Sequence, residues 1–315
     1  MEQPIEEKAL IKKYVIGVDV SRWQAKVDWK VLKQNGVEYV IIKASQGNYL
    51  TDTRLKEHID GASKAGLITA VYHWLDPLIG GEQQAQYFLN ATKGLKYSFI
   101  AADVEQYWSD WSQWGKGKIT SILSPTRIAN CLKIFLDYLD TRKDCNLLIY
   151  TRANFINNYA YPAASWIGGY PLWLAYYPFS AARVKLTWEQ LKEQYDLPAG
   201  PPLPRGASKW TFWQFSGDKF SLPGVSSAID LNAFNGTRAE LYKFAKLPAP
   251  AEPPKPEPPK PEEPKPEPTP DPTPPPDNAN DSGSGGVPPA DNGSVTIEAR
   301  LTKLEAEARK NGWQI

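Results

Sequence analysis

The sequence predicts an α/β protein folded as an irregular, flattened β/α barrel, with about five βα units and a few closing antiparallel strands. Three observations carry that expectation. Short apolar runs of strand length alternate with helical patterns from Tyr14 onward, and Gly, Pro, Asn or Ser marks the switches. Polar residues recur where those runs end, the place where a parallel barrel carries its functional groups. Proline is concentrated after Leu247, which leaves residues 14–247 as the folded unit, enough for one such barrel.

Taken in order, YVIGVDV (14–20) is a first strand, and VDWKVLKQNG (27–36) has helical spacing closed by Asn35-Gly36. YVIIKAS (39–45) is a second strand, TRLKEHIDGASKAG (53–66) a helix ending at Gly66, and LITAVYHWL (67–75) a third strand. EQQAQYFLNATKG (82–94) is a helix and SFIAADVE (98–105) the fourth strand. SPTRIANCLKIFLDYLDTRKD (124–144) is a long helix, with Ser124 as its cap and Pro125 in its first turn. NLLIYT (146–151) and PLWLAYY (171–177) are the fifth and sixth strands. The pattern then loosens, and KWTFWQFS (209–216) with SSAIDLNAF (226–234) reads as antiparallel closing strands rather than a further βα repeat.

The flanks read differently. Residues 1–13 form an extension, acidic then basic, without an apolar stretch long enough for a signal-peptide core, and no later run reaches the length of a membrane span. The expectation is synthesis and initial retention in a cytoplasm. Residues 248–293 are a Pro-rich linker that cannot bury enough apolar area to offset its ordering entropy, so it is expected to be a disordered, semi-rigid spacer. In residues 294–315, Ile297, Leu301, Leu304 and Ala308 follow the spacing of a coiled-coil seam. A helix this short is marginal alone, so a homo-oligomer formed through residues 294–313 is expected.

Composition narrows the function. A formal net charge of +1 and a pI near 7.6 supply no basic field for nucleic acid. Twelve Trp and sixteen Tyr are a high aromatic load, and flat rings with a polar edge suit the faces of sugars. The only cysteines, Cys131 and Cys145, and the only histidines, His58 and His73, make no metal-ligand set, and no cofactor is expected. A disulfide between the two is geometrically possible but not implied, and buried free thiols are the more common outcome.

The most informative stretch is Asp103-Val104-Glu105. Residues i and i+2 of a strand share a face about 6.6 Å apart along the backbone. Crowded carboxyls push their pKa values apart, leaving one able to act as an acid near neutral pH, as glycosidic bond cleavage requires. An isolated D-x-E is better explained as two solvated acids at a strand end. Further carboxylates at other strand ends, Asp19 and Asp230, turn the balance towards a shared acidic mouth.

In order along the chain, GVDVSRWQAKVDW, VIIKASQG, GLITAVYHW, AADVE, LIYT, LWLAYY, FWQFS and AIDLNAFNG resemble the glycoside hydrolase family 25 lysozymes, the N-acetylmuramidases of bacteria and phages. The resemblance spans about residues 14–245. It implies a flattened β/α barrel with an acidic groove, and it places the family's catalytic cluster on Asp19, Asp103, Glu105 and Asp230. Glu105 is then the general acid, and Asp103 stays ionised to stabilise charge or orient the substrate. One departure is visible: the second-strand motif usually ends in an acid where this chain has Gln46, which keeps an acceptor oxygen and loses the charge. Tyr72, His73, Tyr150, Trp173, Tyr176, Trp213, Gln214 and Gln46 are the substrate-binding candidates, and Trp108, Trp111 and Trp114 a wall of the groove.

The implied reaction is cleavage of the β-1,4 bond between N-acetylmuramic acid and N-acetylglucosamine in peptidoglycan. Retaining pairs of carboxyls lie about 5 to 5.5 Å apart and inverting pairs about 6.5 to 9.5 Å, and an i, i+2 pair falls near the boundary. Retention through the substrate's own acetamido group is favoured over inversion. A catalytically silent glycan-binding module is the alternative, against which the four acids together argue. A phage endolysin that leaves the host cytoplasm for the cell wall is the expected setting, and a virion-attached enzyme the second.

Overall fold

The computed structural model describes residues 14–106, 118–178 and 200–248. The extension 1–13, the tryptophans at 108, 111 and 114, nearly all of the Pro-rich linker and the C-terminal helix expected at 294–315 lie outside the described residues.

Nine strands form one sheet: β1 (Val15–Val20), β2 (Val37–Gln46), β3 (Leu50–Thr51), β4 (Ile68–Trp74), β5 (Phe99–Asp103), β6 (Asn146–Thr151), β7 (Leu172–Ala175), β8 (Phe212–Phe220) and β9 (Ile229–Phe234). Their order is β1-β9-β8-β7-β6-β5-β4-β2-β3, and an added parallel pairing of β1 with β2 closes eight of them into a barrel, with β3 as a short hairpin arm on β2. All eight expected strands are present. The last two differ in one respect from the reading above: β8 pairs parallel with β7, continuing the barrel, and only β9 reverses, antiparallel to β8 and β1. A strand that reverses can join its predecessor by a short connection, whereas β7 and β8 are joined by a crossover of the length parallel pairing requires.

The helices begin and end where local chemistry dictates. Asp28 accepts from the amides of Lys30 and Val31 to start Trp29–Gln34, and Gly36, at φ 89°, ends that helix with a left-handed residue. Ser124 caps Pro125–Asp140 by accepting from the amide of Arg127, as the sequence predicts. Cys131 and Cys145 are both free thiols. Among the described residues no helix is long and apolar enough to cross a membrane.

Because successive strand residues alternate faces, the sheet makes two cores. The outer core packs strand residues such as Val18, Val40, Ile42, Ile100, Ile149 and Leu231 under the helices. The inner one fills the barrel with Tyr39, Ile41, Phe99, Leu148, Trp173 and Phe212, and its floor is plugged by Leu241, Tyr242 and Phe244 of the helix Arg238–Phe244. Phe212 is the centre of that floor, with ring centroids 5.2 Å from Phe99, 5.1 Å from Phe234 and 5.5 Å from Phe244. Gly17 is fixed by the same filling, since a Cβ there would meet the ring of Tyr39 at 2.3 Å. With its floor closed, the barrel opens only at the C-terminal ends of the parallel strands.

Phe212→Ala is expected to cost about 3 to 5 kcal/mol, the transfer term plus the cavity left in the floor. Urea unfolding measures it, and a loss below about 1 kcal/mol would contradict the role of this ring.

Candidate active site

Four acidic side chains reach the open end from three strands that are distant in sequence. Asp19 lies near the end of β1 directly opposite Asp230 of β9 in the antiparallel ladder. Asp103 ends β5, between Trp74 of β4 and Tyr150 of β6, and Glu105 follows two residues on. Asp103 is buried, and Glu105 and Asp230 are half-buried.

A hydrogen-bond net beneath Asp19 and Asp230 holds them. Gln214 of β8 donates its amide to Asp19 Oδ2 at 2.9 Å and to Asp230 Oδ2 at 3.3 Å, while its carbonyl oxygen accepts from the hydroxyls of Tyr150 at 2.7 Å and Tyr177 at 2.6 Å. Asn232 of β9 donates to Asp19 Oδ2 at 2.7 Å, and its own carbonyl oxygen accepts from the indole N–H of Trp173, also at 2.7 Å. Each amide is oriented by the partners of its oxygen, so its N–H groups are committed to the carboxylates. Burial, as the largest cause, raises the phenols of Tyr72, Tyr150 and Tyr177, so they remain protonated donors at neutral pH.

Burial is also the largest influence on the D-x-E pair. It pushes Glu105 up to about 7, against the pull of Arg152 and Lys43 and with the push of Asp19. It raises Asp103 well above the usual carboxylate range, with Glu105 adding to the rise and Lys43 opposing it. The elevated Glu105 agrees with the sequence reading. Its cause is chiefly desolvation rather than mutual crowding, and Asp103 is not the low-pKa partner that crowding alone predicts. Asp103 Oδ1 is buried without a hydrogen-bond partner in the protein.

Of the substrate-binding candidates, Tyr72, Tyr150, Gln214 and Gln46 belong to this mouth. Gln46 accepts from Lys43 Nζ at 2.9 Å. Trp173 is fully buried just below it, edge-on to Tyr72 at 6.1 Å and 4.4 Å from Tyr150, and acts as a support rather than a contact surface. Three candidates stand on the other side of the sheet. His73 is buried, stacked on Phe135 at 4.8 Å with Ser45 Oγ at 2.8 Å, and its pKa is lowered to about 3 by burial, so it is a neutral core residue. Trp213 is buried in the outer core, and Tyr176, although 39 % exposed, stacks on it with near-parallel rings. In each case a strand neighbour takes the inward place: Tyr72 for His73, Gln214 for Trp213, Tyr177 for Tyr176.

Four residues absent from the sequence-derived set belong to the site. Asn232 stands two residues from Asp230, so the i, i+2 rule that selected Asp103 and Glu105 would have found it. Tyr177 and Lys43 are at strand ends already noted for their polarity. Arg152 follows β6 directly, its guanidinium 4.7 Å from the Tyr177 ring, and carried no signal in the sequence.

A closed β/α barrel with acidic side chains from separate strands around one mouth, one of them protonated near neutral pH, is the architecture of a carboxyl-dependent glycoside hydrolase. The chain belongs to glycosyl hydrolases family 25, whose model matches residues 18–225. It is a glycoside hydrolase of the lysozyme, or muramidase, type. It is 30 % identical over 239 residues to Lysozyme M1 of Streptomyces globisporus, covering 73 % of this chain and 71 % of that one. Its fold is similar to that of the bacterial lysozyme from Streptomyces coelicolor, with TM-score 0.60 and 26 % identity over 74 % of this chain and 97 % of the other. The CTP1L endolysin is also similar, with TM-score 0.54 and 25 % identity over 73 % and 69 % of the two chains.

Asn232→Ala removes a side-chain amide that donates to Asp19 Oδ2 and strands the Trp173 indole N–H. The expected result is a fall in kcat/KM of roughly tenfold to a hundredfold from misplacement of the carboxylate, with a stability loss of about 1 to 3 kcal/mol. Steady-state kinetics and urea unfolding read the two effects, and an unchanged kcat/KM would show that Asp19 does not depend on this brace.

Proposed function

We propose that the protein hydrolyses the β-1,4 bond between N-acetylmuramic acid and N-acetylglucosamine of bacterial peptidoglycan, with Glu105 as general acid. The observation that carries this reading is Glu105 itself: a carboxyl at the open end of the barrel, raised by burial to about 7, is half protonated at neutral pH. The lysozymes among its relatives support the choice of bond.

In this mechanism the Glu105 proton passes to the leaving glycosidic oxygen as the bond to the anomeric carbon breaks. The 2-acetamido group of the muramic residue lies beside Asp103, whose buried Oδ1 accepts the amide N–H. That hydrogen bond favours the ionised form of Asp103 and turns the amide carbonyl oxygen onto the anomeric carbon, closing a bicyclic cation on the substrate. Asp19 and Asp230, fixed by Gln214 and Asn232, place negative charge where the positive charge develops. Glu105, now ionised, takes a proton from the water that reopens the ring, and the anomeric configuration is retained.

The setting we assign is that of a phage endolysin, held in the host cytoplasm until it gains access to the wall and self-associating through residues 294–313. Similarity to an endolysin and the wall polymer as substrate support this setting.

Digestion of purified peptidoglycan tests the bond and the acid together. New reducing ends should be muramic acid, and Glu105→Gln should lower their rate of appearance by about a hundredfold to ten-thousandfold; glucosamine ends, or an unimpaired variant, would overturn the reading. Proton NMR of the first-formed product should show the β anomer, and the α anomer would exclude retention. Because Glu105 must carry its proton, kcat/KM should fall as pH rises through about 7, roughly tenfold per unit beyond it. A profile flat to pH 9 would contradict the assignment of the acid.

A further inference from the structure

On β2 the alternation of faces breaks at Ala44. Lys43 pairs with Tyr72 on the inward side, and the next pair is Ser45 with His73. Ser45 bonds His73 behind the sheet and Ala44 is buried in the outer core, so two successive residues face outward. A bulge of this kind re-aims the following side chain. Gln46 therefore returns to the inward side next to Lys43, where regular pairing would have put Ser45.

The bulge brings an ammonium and a neutral acceptor together. Gln46 Oε1 accepts from Lys43 Nζ at 2.9 Å, and Gln46 Nε2 donates to the Tyr49 hydroxyl at 3.3 Å, which donates to Asp76 Oδ2 at 3.3 Å. The amide is thus oriented from both ends. The Trp74 ring, 4.4 Å from Nζ, forms the other side of the seat, and Trp74 is the strand partner of Asp103. The charged groups facing Lys43 are Asp103, Glu105, Asp52 and Arg22. Those facing the D-x-E pair are Lys43 from β2, Arg152 after β6 and Asp19 from β1. A neutral acceptor fixes the ammonium without cancelling its charge, whereas a carboxylate at the same place would pair with it and weaken its field at the catalytic carboxyls.

We propose that the bulge-positioned Lys43–Gln46 pair holds an uncancelled positive charge against Asp103 and Glu105 and so sets the upper pH limit of the reaction, Gln46 acting as a positioning residue. The proposal rests on Glu105 being the proton donor. Lys43 and Arg152 each favour the ionised form of Glu105, so weakening either charge makes the proton harder to remove. The limb at which activity is lost then moves to higher pH.

The test compares kcat/KM against pH, on purified peptidoglycan, for the full chain and for Gln46→Glu, Lys43→Gln, Lys43→Arg and Glu105→Gln. Gln46→Glu and Lys43→Gln should each shift the descending limb upward by roughly half a pH unit or more, while Lys43→Arg, which keeps the charge, should leave it near the wild-type position. Loss of packing alone would lower the whole profile and leave its midpoint in place, and that result in both charge-altering variants overturns the proposal. Should Lys43→Gln fail to fold by circular dichroism, the near-isosteric Gln46→Glu decides alone by the same criterion. An inactive Glu105→Gln with an unmoved limb in the other variants defeats only this inference. Near wild-type activity in Glu105→Gln defeats the assignment of the acid, and this inference with it.

Discussion

The pairing of β1 with β9 is the constraint on which the rest of the site depends. It joins the first strand of the barrel to the last, sets Asp19 opposite Asp230, and carries Asn232 on the same face two residues away. Like-charged residues placed directly opposite in a ladder are destabilising unless something holds them. Gln214 holds both, its amide shared between the two carboxylates and its oxygen bound by two phenols. The arrangement needs an antiparallel strand at this one place. A parallel β9 would present its carboxyl end to the mouth and carry Asp230 to the floor.

The same closure explains the electrostatics. A barrel plugged at its floor by Phe212, Phe244 and their neighbours admits water only at the mouth, so a carboxyl placed there loses much of its hydration. Burial therefore outweighs the neighbouring charges for Asp103 and Glu105, with Lys43 opposing the rise at both carboxyls and Arg152 opposing it at Glu105. Floor packing and acid strength are in this sense one property. An aromatic core at one end of the barrel makes proton donation available at the other.

Much of this is legible in the sequence. The eight barrel strands, the caps at Asn35-Gly36 and Ser124-Pro125, and the acidic residues at strand ends all follow from apolar run length, turn chemistry and position, which are local properties. Where the sequence is ambiguous, it is ambiguous by one residue: His73 and Trp213 read as candidates alongside their inward neighbours Tyr72 and Gln214, and Tyr176 in place of Tyr177. A strand shifted by a single position exchanges its faces, and long buried runs such as TAVYHW offer no polar alternation from which to fix the parity.

The sequence by itself determined that this chain is a β/α barrel, that its carboxyls gather at one end, and which family it joins, because strand periodicity and ordered motifs are written along the chain. Only the tertiary structure decided which side chains face the mouth, that Gln214 and Asn232 clamp Asp19, that Arg152 stands beside Glu105, and that a bulge at Ala44 seats Gln46 against Lys43. Those facts are set by register between strands distant in sequence and by the depth at which each group is buried. Neither quantity exists until the barrel closes.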